Sequence, residues 1–143
     1  MKLDLECIRS ILIWIEENQV MKKKGNKDDG SFTGKPKKII SKDIIESGKL
    51  DYSEEDILYS LLQMNESGLI KADWVKNDIG PNYYKIRDIT PEGHDFLGNI
   101  RSNDNWDKTK SAASKVGATT LKAMVDIAGK VVSGIIKQVV TGG

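Results

Sequence analysis

Few side chains in this sequence are suited to chemistry. The chain has one histidine, His94, and one cysteine, Cys7, too few for a histidine–cysteine metal cluster. No glycine-rich run has the form of a phosphate loop. His94 stands beside Asp95, but a general base needs a nucleophile or a second acid fixed nearby, and the sequence fixes neither. One turn before Leu97, it reads as a hydrogen-bonded histidine at the core margin. Cys7 reads as packing in a first helix. Asp28 and Asp29 lack the alternating oxygen spacing of a calcium loop. No enzymatic activity, cofactor or metal is expected.

Binding chemistry is better represented, in three places. The stretch from Met21 to Lys38 carries Lys22, Lys23, Lys24, Lys27, Lys35, Lys37 and Lys38 against only Asp28 and Asp29, a set of cations suited to phosphate contacts, with Lys85 and Arg87 as further candidates. A second group is acidic: Asp51, Glu54, Glu55 and Asp56 start a helix on which Tyr59 and Gln63, one turn apart, are expected to face outward. Acids are ordinary partners of a helix N-terminus, yet beside two rows of phosphates they oppose binding. The third is a C-terminal seam, Leu121, Val125, Ala128, Val132, Ile135 and Val139, which steps by four and three in the manner of a coiled coil.

The elements that must carry these groups follow from periodicity. Leu5, Ile8, Ile11, Leu12 and Ile15 make one face of a helix from about residue 3 to 17. Residues 38–41 read as a short strand, and residues 41–47 as a short helix closed by Gly48. Ser53 with Asp56 forms a capping pair for a helix carrying Ile57, Leu58, Leu61, Leu62 and Met64, which ends at Gly68. Residues 69–75 and 83–89 are rich in β-branched and aromatic residues and flank a turn-forming break, so they should pair as a hairpin. Thr90-Pro91-Glu92 opens a further helix through Phe96, Leu97 and Ile100. In the tail, Met124, Ile127, Val131 and Ile136 widen the apolar surface beyond a two-stranded seam. Gly129 and Gly134 weaken an isolated helix there by up to about 1 kcal/mol each, so the tail needs a partner, either its own domain or a second chain. Trp106 is expected to dock the connection before it.

This order is that of a winged helix-turn-helix with the hairpin as wing. The segments Leu61-Leu62 to Gly68-Leu69-Ile70 and Ile89-Thr90 to Gly93, Phe96 and Leu97 resemble the ends of the reading helix and wing in winged-helix regulators. More narrowly, Leu3-Asp4-Leu5, Ile8-Arg9, Ile11-Leu12, Gly68-Leu69-Ile70, Gly93-His94-Asp95-Phe96-Leu97, Ile100-Arg101 and Trp106-Asp107-Lys108 resemble the uncharacterised bacterial and phage family DUF2513. Ser60 stands where that family often has a histidine after the tyrosine. The resemblance implies a winged-helix-like fold and residence in prophages and mobile elements, and no assigned reaction.

The expected architecture is mainly α with a small β-hairpin: a winged-helix-like domain over residues 1–101 with a flexible basic loop over 21–38, a connecting segment over 102–117, and an amphipathic helix over 118–143. At 143 residues and a formal net charge of +1, the chain has room for one core and an appendage, and only local charge can attract an anionic partner. A lone cysteine and a start without a leader pattern predict a cytoplasmic protein. Two functions stay open: a dimeric DNA-associated regulator using the lysine loop, Lys85 and Arg87, or a protein-interaction module using Glu54, Glu55, Tyr59 and Gln63 or the tail. A membrane surface is disfavoured as partner.

Overall fold

The computed structural model describes residues 2–25 and 30–134. Among them are six helices and two small antiparallel sheets, a mixed α/β arrangement. Helix α1 (Leu5–Asn18) starts where the Asp4 carboxylate accepts the Cys7 N–H at 3.1 Å, and it buries Cys7, Ile8, Ile11, Leu12 and Ile15. Desolvation pushes the Cys7 thiol up, and the charges of Asp4 and Asp56 add to this against a hydrogen bond with Ser60, so Cys7 is a packing residue rather than a nucleophile.

The stretch expected as a basic loop is in part a second hairpin: β1 (Met21–Lys23) pairs with β2 (Phe32–Pro36), with Met21 opposite Pro36 and Lys23 opposite Phe32. The two extra residues on β2 are absorbed around Gly34, whose φ is +84°, a conformation that glycine adopts without strain. Strand alternation does not reveal this hairpin from sequence, because both strands are exposed and neither has an apolar face against the core.

Strand β3 (Ile39–Ile40), helix α2 (Ser41–Glu46), helix α3 (Glu54–Glu66), and strands β4 (Ile70–Val75) and β5 (Tyr83–Ile89) follow as expected, the strands in the order β3-β5-β4. Ser53 caps α3 by accepting the Asp56 N–H at 3.1 Å. A bulge sits in the β4–β5 ladder: Lys71 faces Asp88 but Ala72 faces Ile86, so Arg87 is the extra residue. The bulge shifts the strand alternation by one residue, which lets Ile86 and Ile89 both point into the core.

Helix α4 (Pro91–Ile100) begins at Thr90, whose hydroxyl accepts the Gly93 N–H at 3.0 Å and donates to the Gly68 carbonyl at 2.6 Å, while its N–H donates to the Leu69 carbonyl at 3.0 Å. Gly93 lies flush on that backbone: a Cβ there would stand 2.0 Å from the Leu69 oxygen and 2.7 Å from Ile89 Cγ2. His94 is exposed, not at the core margin, because α4 turns Gly93, Phe96, Leu97 and Ile100 inward.

Residues 103–116 are not a mere connection but a helix, α5 (Asn103–Val116), capped by Ser102 and ended by Gly117 at φ +71°. Its inward face is Trp106, Thr109, Ala112 and Ala113, small residues apart from the indole, which leave little amphipathic signal. The Trp106 indole N–H donates to both Glu6 carboxylate oxygens at 3.0 and 3.1 Å, and the Lys110 ammonium pairs with the same carboxylate. Arg9 lies 5.6 Å from the Trp106 ring centroid while donating to the carbonyls of Ile100 and Arg101 at 3.0 and 2.7 Å. Helix α6 (Leu121–Ser133) packs on α4 and α5 through Leu121, Met124, Ile127, Ala128 and Val131.

Two measurements test this framework. Gly93→Ala should destabilise the fold by about 2–3 kcal/mol, since the new methyl meets a backbone oxygen that cannot move alone, and thermal denaturation should show a Tm lower by roughly 8 °C. Burial alone pushes the Glu6 carboxyl up, but the hydrogen bonds from Lys110 and Trp106 and the charges of Lys110 and Arg9 outweigh it and hold the group below the ordinary glutamate range. A carboxyl depressed by folding stabilises above its unfolded pKa and loses that contribution as pH falls through its folded value. Glu6→Gln should therefore cost about 1 kcal/mol at pH 7. In urea titrations the difference from wild type should shrink below the ordinary glutamate range and vanish once the pH is below the folded value.

Candidate interaction groove

The face of α3 away from the core and the β4–β5 hairpin enclose an open groove of about 640 Å³ lined by Glu54, Glu55, Leu58, Tyr59, Leu62, Trp74 and Tyr84. Its origin is in the helix period. Ile57, Leu61 and Met64 form the buried stripe of α3, and Leu58 and Leu62, one position on, form a second stripe that is only half-buried. Trp74, 47% exposed on β4, stacks edge-on against Tyr84 of β5 with ring centroids 4.8 Å apart and planes at 63°, an arrangement that holds the indole upright as a wall. Burial pushes the Tyr84 phenol up, and the Glu66 charge adds to it, so the phenol stays neutral across the physiological range.

The hairpin is held against α3 at fixed points. The Asn65 side-chain oxygen accepts the Ala72 N–H at 3.0 Å, so this part of the outer edge of β4 is already occupied and the groove floor is side chains rather than a strand-addition edge. On the other edge, the Tyr84 N–H donates to the Ser41 hydroxyl at 3.1 Å. The groove mouth is acidic: Glu54 and Glu55 are exposed at it, and Asp51 and Asp56 are exposed nearby.

Of the residues expected to meet a partner, the groove brings together Glu54, Glu55 and Tyr59, with Tyr59 half-buried rather than outward; Gln63, also half-buried, is not in its lining. Leu58, Leu62 and Trp74 were not singled out by sequence as binding residues. The available signal was an apolar arc on α3 wider than one stripe, together with a tryptophan in a strand exposed on one side.

The cations are arranged separately. Lys22, Lys23, Lys24 and Lys35 are exposed on the β1–β2 hairpin, and Lys37 and Lys38 are exposed at its base; Lys27 lies outside the described residues. The Gln19 amide donates to the Lys37 and Arg87 carbonyls, each at 3.0 Å, and joins the hairpin base to β5. Asp73 reduces the positive character of β5: it lies opposite Lys85 and pairs with Arg87 at 3.1 Å. In the tail, Leu121 is buried, Val125 half-buried and Val132 50% exposed, so the expected seam is turned away from a pure dimer interface by packing onto α4 and α5; Ile135 and Val139 lie outside the described residues. Among the described residues no group of three His, Cys, Asp or Glu side chains gathers to hold a metal, and no described helix is long and apolar enough to cross a membrane.

No curated protein and no solved structure matches the chain significantly. One protein family does, described as "Hypothetical protein (DUF2513)", over residues 2–119. A match across that span, most of the chain and every element from α1 to α5, makes the chain a member of the DUF2513 family.

Proposed function

We propose that this chain is a non-catalytic interaction module on a winged helix-turn-helix scaffold, and that its groove binds an apolar protein segment flanked by cations. The scaffold reading is supported by the order α1, β3, α2, α3, β4, β5, with the β1–β2 hairpin inserted after α1, and by the strand order β3-β5-β4, in which α2 and α3 are the two helices and β4–β5 the wing. The observation that carries the partner reading is the groove itself, with Leu58, Leu62 and Trp74 as apolar walls and Glu54 and Glu55 at the rim. An exposed indole beside aliphatic side chains is a common anchor of protein recognition. Acids at the mouth favour a cationic partner and repel an anionic one: at 4 Å a carboxylate and a phosphate repel by about 1 kcal/mol even in bulk water. A helix reading base edges would present these same first turns to two phosphate rows, which disfavours α3 as a DNA reader.

A second reading is favoured by a different surface. The exposed Lys22, Lys24, Lys35, Lys37 and Lys38 form a phosphate-contacting arm that needs no help from α3, as in a DNA-associated regulator of a phage or mobile element. Cytoplasmic residence suits either reading.

Panning a random peptide library on the purified protein tests the first. Enriched peptides should combine aromatic or aliphatic residues with Lys or Arg, and their affinity should fall more than about tenfold in Leu62→Asp and in Glu54→Lys/Glu55→Lys. Peptides rich in acids, or binding indifferent to both variants, would remove the groove from consideration. For the second, a labelled random duplex should bind with a log–log salt slope of about −4 to −5, as five lysines contacting phosphates require. That binding should disappear in Lys22→Glu/Lys24→Glu; no binding at low salt retires the DNA reading.

A further inference from the structure

Among the described residues seven large apolar side chains are exposed: Val20, Met21 and Phe32, at 59, 45 and 52%, cluster on and beside the β1–β2 hairpin, Trp74 stands in the groove, and Ile79, Val116 and Val132 stand elsewhere. The two apolar patches carry opposite charge. Around the first are Lys22, Lys24 and Lys35; around the second are Glu54 and Glu55, with Asp51 and Asp56 nearby. In a chain whose formal net charge is +1, this is a segregation of charge and not an excess of either sign.

From this complementarity we infer that the groove accepts the β1–β2 hairpin of a second copy of this chain. The inference rests on the reading of the groove as a protein-binding site, and names its occupant. Within one copy the two surfaces are apart: the hairpin base is tied by Gln19 beside Arg87, next to the edge strand β3, whereas Trp74 lies on the opposite edge strand β4, and both Phe32 and Trp74 are exposed. The hairpin has the pattern that the groove requires. The register sets Met21 opposite Pro36 and Lys23 opposite Phe32, so Met21, Phe32 and Lys23 share one face of the hairpin and Lys22 lies on the other. A hairpin docked with Met21 and Phe32 against Leu58, Leu62 and Trp74 leaves its lysines at the flanks, from where their long side chains reach around the strand edges to the acidic mouth. The Thr33 hydroxyl, donating to the Lys22 carbonyl at 3.1 Å, and the Lys37 N–H, donating to the Val20 carbonyl at 2.7 Å, hold the two described strands together, so their pairing need not form on docking. Because hairpin and groove are different surfaces, the contact is heterologous and propagates head to tail, or closes into a ring.

Sedimentation equilibrium of the full chain at low and at high salt tests this. At 50 mM salt the protein should self-associate with a dissociation constant of about 1–100 μM, as a small contact of this kind gives, and at 0.5 M the association should weaken at least about tenfold. Lys22→Glu/Lys24→Glu and Glu54→Lys/Glu55→Lys, all at exposed positions, should each be monomeric while keeping the wild-type circular dichroism and Tm. Mixed one to one, the two variants should associate again, because the native hairpin of one meets the native groove of the other. A wild type that stays monomeric at 50 mM salt overturns the inference, as does association that survives either variant or fails to return on mixing. The library peptides separate this failure from that of the groove reading. If the chain is monomeric and the peptides still require Glu54 and Glu55, the groove serves another protein; if the peptides ignore them, both fall. A monomer that binds duplex through Lys22 and Lys24 assigns the hairpin to nucleic acid instead.

Discussion

The arrangement of the groove depends on one backbone oxygen. The Leu69 carbonyl, just past the end of α3, accepts the Thr90 N–H and lies under Gly93, where no Cβ fits. The end of α3, both feet of the β4–β5 hairpin and the start of α4 therefore meet within a few ångströms. Asn65 then ties β4 to α3 at Ala72, and Ser41 ties β5 to α2 at Tyr84. With the root closed and both edges tied, the gap between α3 and Trp74 has a defined width, which a pre-formed binding site needs.

Much of this frame was legible in the sequence because its signals are local. Gly48 and Gly68 end their helices at φ +69° and +76°, Ser53 and Thr90 cap as their spacing implies, and the apolar stripe of α1 is the one that is buried. What escaped notice lacked a local signal. Helix α5 buries one tryptophan and otherwise alanines and a threonine, so its face has almost no hydrophobic contrast, and the Ser102 cap and Gly117 terminus were its only marks. The β1–β2 hairpin has no buried side for alternation to reveal. In the tail the sequence left two partners open, its own domain or a second chain, because the seam of Leu121, Val125, Ala128 and Val132 and the wider surface of Met124, Ile127 and Val131 are both apolar; the buried face takes Leu121 and Ala128 from the first and Met124, Ile127 and Val131 from the second. For the candidate site, the acids of α3 and the lysines of residues 22–38 could be read directly. The groove between them could not, because it exists only once β4 brings Trp74 back across from Leu58 and Leu62.

The docking of α5 and α6 keeps the charge pattern of the rest intact. Arg9, Glu6 and Lys110 are consumed around the Trp106 indole, where cation and carboxylate cancel, and Arg101 is held by Glu16 at 2.6 Å. The body of the molecule thus neutralises its own charges in pairs. Asp73 does the same for Arg87 on the sheet. Against that background the hairpin lysines and the acids of α3 stand out as two separate exposed groups, each of a single sign.

On the proposed reading of the groove, this separation also divides stability from recognition. The core of α3 is Ile57, Leu61 and Met64, nearly or fully inaccessible, and substitution there removes packing and leaves a cavity. Leu58 and Leu62 face the groove and are only half-buried, so shortening either removes a fraction of that contact from the folded chain but the whole of it from a bound partner. Trp74 is the extreme case: nearly half of its surface is in contact with water, and it stacks against Tyr84. A large indole fixed upright on an edge strand adds little to the fold that a smaller residue would not. Its apolar area, worth about 25 cal/mol for each square ångström removed from water, is gained in full only when something fills the groove.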